Sequence, residues 1–196
     1  MSLGGYELVE VPLVEATIEV RFPGDARIDA IRGEFQHAVA QDFPQLYLPA
    51  VAAGESPGLM PYRFQNNDGT KILALALHSL AYTTMQYPGW EAFKREFLGF
   101  WSTLSAMVAQ ENINRVGARF INRFDGPFHD CLAVESLPDY LSPLRDGTCD
   151  FYRVAGNYRR GETRILVNVH RPEHEESLLL DYDAYAQSVP IAFLEE

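Results

Sequence analysis

Lysine is nearly missing from this chain: of 16 basic side chains, 2 are lysine and 14 arginine. Lysine is the usual solubilising cation, whereas the planar fork of arginine suits paired or partly buried contacts. Cysteine is scarce too. Cys131 and Cys149 lie 18 positions apart, neither in a C-x-x-C pair, so they read as reduced thiols rather than a zinc site or disulfide. No apolar run approaches the ~20 residues a membrane helix needs, and the start of the chain lacks the basic-then-apolar pattern of a secretory signal. The expected compartment is cytoplasmic. Net positive charge is also lacking: the balance is −11, which removes the non-specific attraction to nucleic acid. No glycine-rich phosphate loop, nucleophile elbow, HExxH helix or zinc-finger spacing occurs. The commonest enzyme signatures are therefore absent, and no cofactor or metal is called for.

What is present is enough for a sizeable core. The 196 residues are 47% hydrophobic and 12% aromatic, with 22% charged, which fits one large domain or two intimate halves and argues against disorder. The charge is uneven. Residues 1–112 hold 7 bases and 13 acids, and residues 172–196 hold no base and 7 acids. The stretch 113–171 holds 9 arginines against 7 acids, a local +2.

One segment occurs twice. Ala16-Thr17-Ile18-Glu19-Val20-Arg21-Phe22-Pro23-Gly24 is echoed by Ala118-Arg119-Phe120-Ile121-Asn122-Arg123-Phe124-Asp125-Gly126. Each copy is an extended run closed by Arg-Phe and a glycine turn. Around them the chain divides into two units, 1–112 and 113–196. The first reads as a strand over 13–22, a helix over 26–42 with Asp25 as its cap, a loop over 44–60, and a hairpin. That hairpin joins Tyr62–Asn66 to Lys71–His78 through Asn67-Asp68-Gly69. A strand at Ala81–Gln86 and a long helix at 90–111 follow. Trp90, Phe93, Phe97, Phe100, Trp101, Leu104 and Met107 share one side of that helix, which burial against a sheet explains. The second unit reads as a strand over 113–124, a weak helix over 135–144, and strands over 150–158, 163–170 and 177–184. Arg159-Arg160-Gly161-Glu162 is the expected turn between the first two of these.

Three pieces resemble a known family: Pro12-Leu13-Val14-Glu15-Ala16 running into Glu19-Val20-Arg21-Phe22; Leu77–Leu80 running through Tyr87-Pro88-Gly89-Trp90-Glu91-Ala92-Phe93; and Arg115-Val116-Gly117-Ala118-Arg119-Phe120-Ile121-Asn122-Arg123. In this order they are similar to an uncharacterised, sporadically distributed bacterial protein family. The resemblance implies architecture and no particular activity. It also implies a helix after the last strand, so the chain reads as a C-terminally shortened form.

The chemistry-bearing candidates centre on strand 113–124. Alternation puts Arg115, Gly117, Arg119, Ile121 and Arg123 on one face. If that strand pairs with 13–22, then Glu15, Glu19 and Arg21 lie beside the arginine row. Two readings follow: a cross-strand ion-pair ladder that sets register, or an anion site of forked donors matched to phosphate or carboxylate. Arg153 and Arg164 would enlarge either one. Four minor candidates sit elsewhere. His170-Arg171-Pro172-Glu173-His174-Glu175-Glu176 reads as a solvated turn, because Pro172 opposes the helix that would converge its histidines. His129 and Cys131 read as a loop pair. Asp181 and Asp183 read either as a cation site or as the exposed face of an edge strand. His37, in a helix, and His78, in a strand, read as structural.

The fold expected is α+β: a twisted, mostly antiparallel sheet with two main helices on one face and a pseudo-twofold repeat of strand–helix–strands units. The function expected is a non-catalytic binding or assembly module that uses its sheet face or edge on a protein partner or a second copy. The alternative is an enzyme or sensor for a phosphorylated or nucleotide-like ligand held by Arg115, Arg119 and Arg123, with Arg21 beside them and Glu15 or Glu19 as acidic partners, with or without a divalent metal.

Overall fold

Alternating apolar residues in the first strand decide where the core forms. The computed structural model describes residues 12–47, 61–125, 152–171 and 177–190. Strand β1 (Leu13–Arg21) buries Ala16, Ile18 and Val20 on one side and turns Glu15, Thr17 and Glu19 to the other. Helix α1 (Arg27–Val39) covers the apolar side with Ile28, Phe35 and Val39. Its start is held by the Asp25 carboxylate, which accepts the Arg27 amide at 2.9 Å and the Arg27 guanidinium as well. That pairing with Arg27 keeps the Asp25 carboxyl below the ordinary carboxylate range.

Short strands complete the first half: β2 (Gln45–Tyr47), β3 (Tyr62–Gln65), β4 (Lys71–Ala76) and β5 (Ser79–Thr84). The hairpin between β3 and β4 forms at Asn67-Asp68-Gly69 as expected. Gly69 takes φ +74, and Asp68 accepts both the amide and the hydroxyl of Thr70. Helix α2 (Trp90–Met107) then lays Phe93, Phe97, Trp101 and Leu104 against the same sheet face as α1. Phe22 meets Trp101 at 6.0 Å and Tyr82 meets Phe93 at 5.3 Å between ring centroids. The aromatic stripe is helix burial, each ring contributing ~1.5–3 kcal/mol.

The second half adds β6 (Ile113–Asp125), β7 (Tyr152–Arg160), β8 (Thr163–Arg171) and β9 (Ser177–Val189). All nine strands join one open, twisted antiparallel sheet in the order β2-β3-β4-β5-β1-β6-β9-β8-β7. The two echoed segments lie side by side at its centre, with Ile18 opposite Ala118. From β1 outward run β5, β4 and β3; from β6 outward run β9, β8 and β7. The helix expected over 135–144 falls outside the described residues, so the helical part of the expected repeat has no counterpart to compare.

Several boundaries moved. A three-residue strand, β2, stands inside the stretch expected to be loop, because Gln45–Tyr47 pairs with Arg63–Gln65. His78 sits in the tight turn between β4 and β5 rather than in a strand. The long helix stops at Met107, four residues before the expected end. Strand β9 runs on to Val189, since the long β6 supplies partners as far as Ile113. Arg159 and Arg160 belong to β7, and the turn is Gly161-Glu162 alone, with Gly161 at φ +61.

Like Thr84, Tyr82 carries a polar group into this core. Its ring is fully buried, its hydroxyl donates to Glu96, and Glu96 also accepts from Lys71 at 3.0 Å. Burial, then the hydrogen bond to Glu96, push the Tyr82 phenol well above its ordinary value of 10.0. The folded chain therefore keeps a proton that the unfolded chain loses, so stability falls as pH rises above about 10. Tyr82→Phe should cost ~1–2 kcal/mol at pH 7 through the lost bond. It should also flatten the alkaline loss, an outcome read from urea midpoints at pH 7 and 10.5.

Candidate functional site

The face of the sheet opposite the helices gathers charge because the register of β1, β6 and β9 aligns their odd-numbered residues. Arg21 stands opposite Arg115, Thr17 opposite Arg119 and Glu19 opposite Gly117. On the other flank Arg119 stands opposite Asp183 and Gly117 opposite Tyr185. Together these residues floor a shallow concavity of about 370 Å³, lined by Thr17, Glu19, Arg21, Arg115, Arg119, Asp181 and Asp183 among others.

Arg115 is the hub. Its guanidinium donates to Glu19 at 2.8 Å and to both oxygens of Asp183 at 2.8 and 2.7 Å. The same group lies over the Tyr185 ring, 4.6 Å from the centroid, a cation–π contact. It reaches that position by lying across Gly117, where a Cβ would come within 2.9–3.0 Å of the guanidinium. Glycine leaves room for it there. Arg21 donates to the same Glu19 at 2.8 Å.

Arg119 forks onto Asp181 at 2.7 and 2.9 Å. The Asp181 carboxylate raises the Arg119 pKa further above its ordinary value, with smaller contributions from Glu15 and Asp183. Glu15 stands opposite Ile121, one step along the row. Arg123 donates to Asp125 at 2.9 Å near the end of the strand. The structure thus brings Arg21, Arg115, Arg119, Glu15 and Glu19 together and leaves Arg123 at the margin.

Three arginines in the centre, Arg21, Arg115 and Arg119, meet three carboxylates, Glu19, Asp181 and Asp183. The donor forks are committed, so an incoming anion would have to displace a carboxylate. The sequence offers Asp181 and Asp183 either as a cation site or as an edge face. Instead β9 is an interior strand between β6 and β8, and both aspartates are tied to arginine. Among the described residues no three His, Cys, Asp or Glu side chains converge on a point. His37 lies in α1 and His170 in β8; His129, Cys131, Cys149 and His174 lie outside the described residues.

A second cationic group lies on the same face, further out. Arg153, Arg159 and Arg164 of β7 and β8 stand on this face, Arg160 and Arg171 on the other, with Glu162 in the turn as the one carboxylate of residues 152–171. Arg159 stands directly opposite Arg164, and Arg153 opposite His170. Arg153 donates to Asn168 at 3.3 Å and Arg159 to the Gly161 carbonyl at 3.0 Å. Among the described residues none of Arg153, Arg159, Arg160 or Arg164 forms an ion pair. The charge count along 152–171 was the sequence signal for this group, masked by placing Arg159 and Arg160 in a turn. No protein-family model matches the chain, and no curated protein matches it significantly.

The hub is more enclosed than its neighbour: the Arg115 side chain is 15% exposed and that of Arg119 is 48% exposed. Arg115→Ala should cost ~2–3 kcal/mol, between surface and buried pairs, because it strands Asp183 and half of Glu19. Arg119→Ala should cost less than about 1 kcal/mol. Gly117→Ala should fall below the Arg115 loss, since the guanidinium, at the end of a flexible side chain, need shift only slightly to admit a Cβ. Urea denaturation of the three variants at low and high salt ranks them.

Proposed function

We propose that this protein is a non-catalytic binding module that accepts an extended partner segment as an added strand on β7. One observation carries the reading: the nine-stranded sheet ends in a nine-residue strand with no neighbour on its outer side among the described residues. A row of unpaired amides and carbonyls is a template for another strand. The opposite edge, β2, is three residues long and offers little.

The phase of the free edge follows from the turn. Gly161-Glu162 is a two-residue hairpin loop closed by Arg160 and Thr163, with glycine at positive φ in the first position. Such a loop closes on a doubly hydrogen-bonded pair, and bonding then alternates along the ladder. Residues 152, 154, 156, 158 and 160 therefore bond to β8. Residues 153, 155, 157 and 159 point their amides and carbonyls outward. Two apolar side chains stand exposed beside them, Val154 at 42% and Tyr158 at 60%.

The rival reading, a small phosphorylated ligand held by the arginine row, draws less support. The forks of Arg115 and Arg119 are spent on Asp183, Glu19 and Asp181, and the work they do is to lock β1, β6 and β9 in register. A cytoplasmic protein partner is the reading that uses what the sheet leaves open.

The test is a display selection of extended eight-residue peptides against the purified chain, followed by two blocks. Asn157→Pro removes an outward amide at an edge where proline is tolerated, and its urea midpoint confirms folding. N-methylation of alternate peptide amides blocks the partner's side without touching the protein. Selected peptides should lose at least roughly tenfold in affinity with either block, the loss of about one or two ladder bonds. Peptides that bind equally well past both blocks would show that the edge is not the site.

A further inference from the structure

We infer that the segment added to β7 is acidic on one face and apolar on the other, with two carboxylates six residues apart. The inference rests on the edge reading above and names the chemistry of the partner. Arg159 and Arg164 are directly opposed across β7 and β8. Like charges in that position are destabilising, and the ion-paired lattice of β1, β6 and β9 does not reach them. Arg153, opposite His170, likewise has no carboxylate partner among the described residues. Arg153 and Arg159 lie on the polar face of the sheet at outward-bonding positions, six residues apart. A strand laid along β7 would place its first and seventh side chains beside them.

On the other face the same strand would meet Val154, Gly156 and Tyr158. The Tyr158 ring lies over Gly156, where a Cβ would come within 2.6–2.8 Å of it, so this strip is a low apolar surface. The recognition pattern is therefore acid, apolar, any, apolar, any, apolar, acid. It reads the same in both directions, so either strand polarity satisfies it.

A second copy of the chain is a poor occupant. Antiparallel self-pairing of β7 about Gly156 would set Arg153 of one copy beside Arg159 of the other, adding like-charge contacts. A nucleic acid strand is poor as well. The outward row alternates donors with carbonyl acceptors, whereas a phosphodiester chain brings acceptors alone, and the chain is −11 overall.

The experiment is fluorescence anisotropy with a labelled peptide Glu-Val-Thr-Val-Thr-Val-Glu, its Gln-ended and Lys-ended versions, and a single-stranded oligonucleotide as competitor. The Glu-ended peptide should bind roughly tenfold or more tighter than the Gln-ended one, the combined worth of two cross-strand charge pairs. The advantage should shrink with salt. Arg159→Glu/Arg164→Glu should reverse the order and favour the Lys-ended peptide; Arg159→Gln/Arg164→Gln, the milder variant, should erase the preference. Equal binding of Glu- and Gln-ended peptides, both lost in Asn157→Pro, overturns the acidic partner and keeps the edge. Glu-ended binding that survives Asn157→Pro overturns both. So does no peptide binding at all. Preferential binding of the oligonucleotide overturns the peptide assignment.

Discussion

Ile18 lies opposite Ala118, and from that register the facing of every other residue in the sheet's centre follows. From Glu15 to Arg21 and from Arg115 to Ile121, even-numbered residues turn to the helices and odd-numbered ones to the opposite surface. Slipping β1 by one residue against β6 would drive Glu19 into the helix-covered core and expose Ile18 and Val20. The hydrophobic layer and the ionic layer are thus two consequences of one antiparallel pairing. Arg115 reinforces it chemically by reaching a carboxylate on each flanking strand, Glu19 on β1 and Asp183 on β9.

Arginines on one continuous surface have two different fates. Near the seam, acids on β1 and β9 fall beside them, and the charges close into a neutral lattice. Further out, β7 and β8 set Arg159 against Arg164, and among the described residues neither these two nor Arg153 meets a carboxylate. The scarcity of lysine has its explanation in the first group, where planar forks make bidentate bonds that an ammonium cannot. The second group lies by β7, a strand with no neighbour on its outer side among the described residues.

Much of the central architecture was legible because two periodicities were strong. The alternation of Ala16, Ile18 and Val20 identified a half-buried strand, and the spacing of Phe93, Phe97, Trp101 and Leu104 identified a helix. The short β2 was not legible, because three residues without apolar alternation carry no signal until a partner strand supplies their bonds. The turn at Gly161 is hard to place for a similar reason: Arg159 and Arg160 look like loop residues, yet the glycine alone supplies the positive φ the hairpin requires.

The candidate site divides along the same line. The arginine row and the acids of β1 were readable by counting, since alternation along one strand is a local property. That Asp181 and Asp183 face that row was not, because it depends on β9 inserting between β6 and β8 rather than ending the sheet. Composition and periodicity determined by themselves that this chain builds a helix-covered sheet with one charged side. Which of the central cations meet which carboxylates was decided by strand order, a long-range choice set by how the whole sheet packs and pairs.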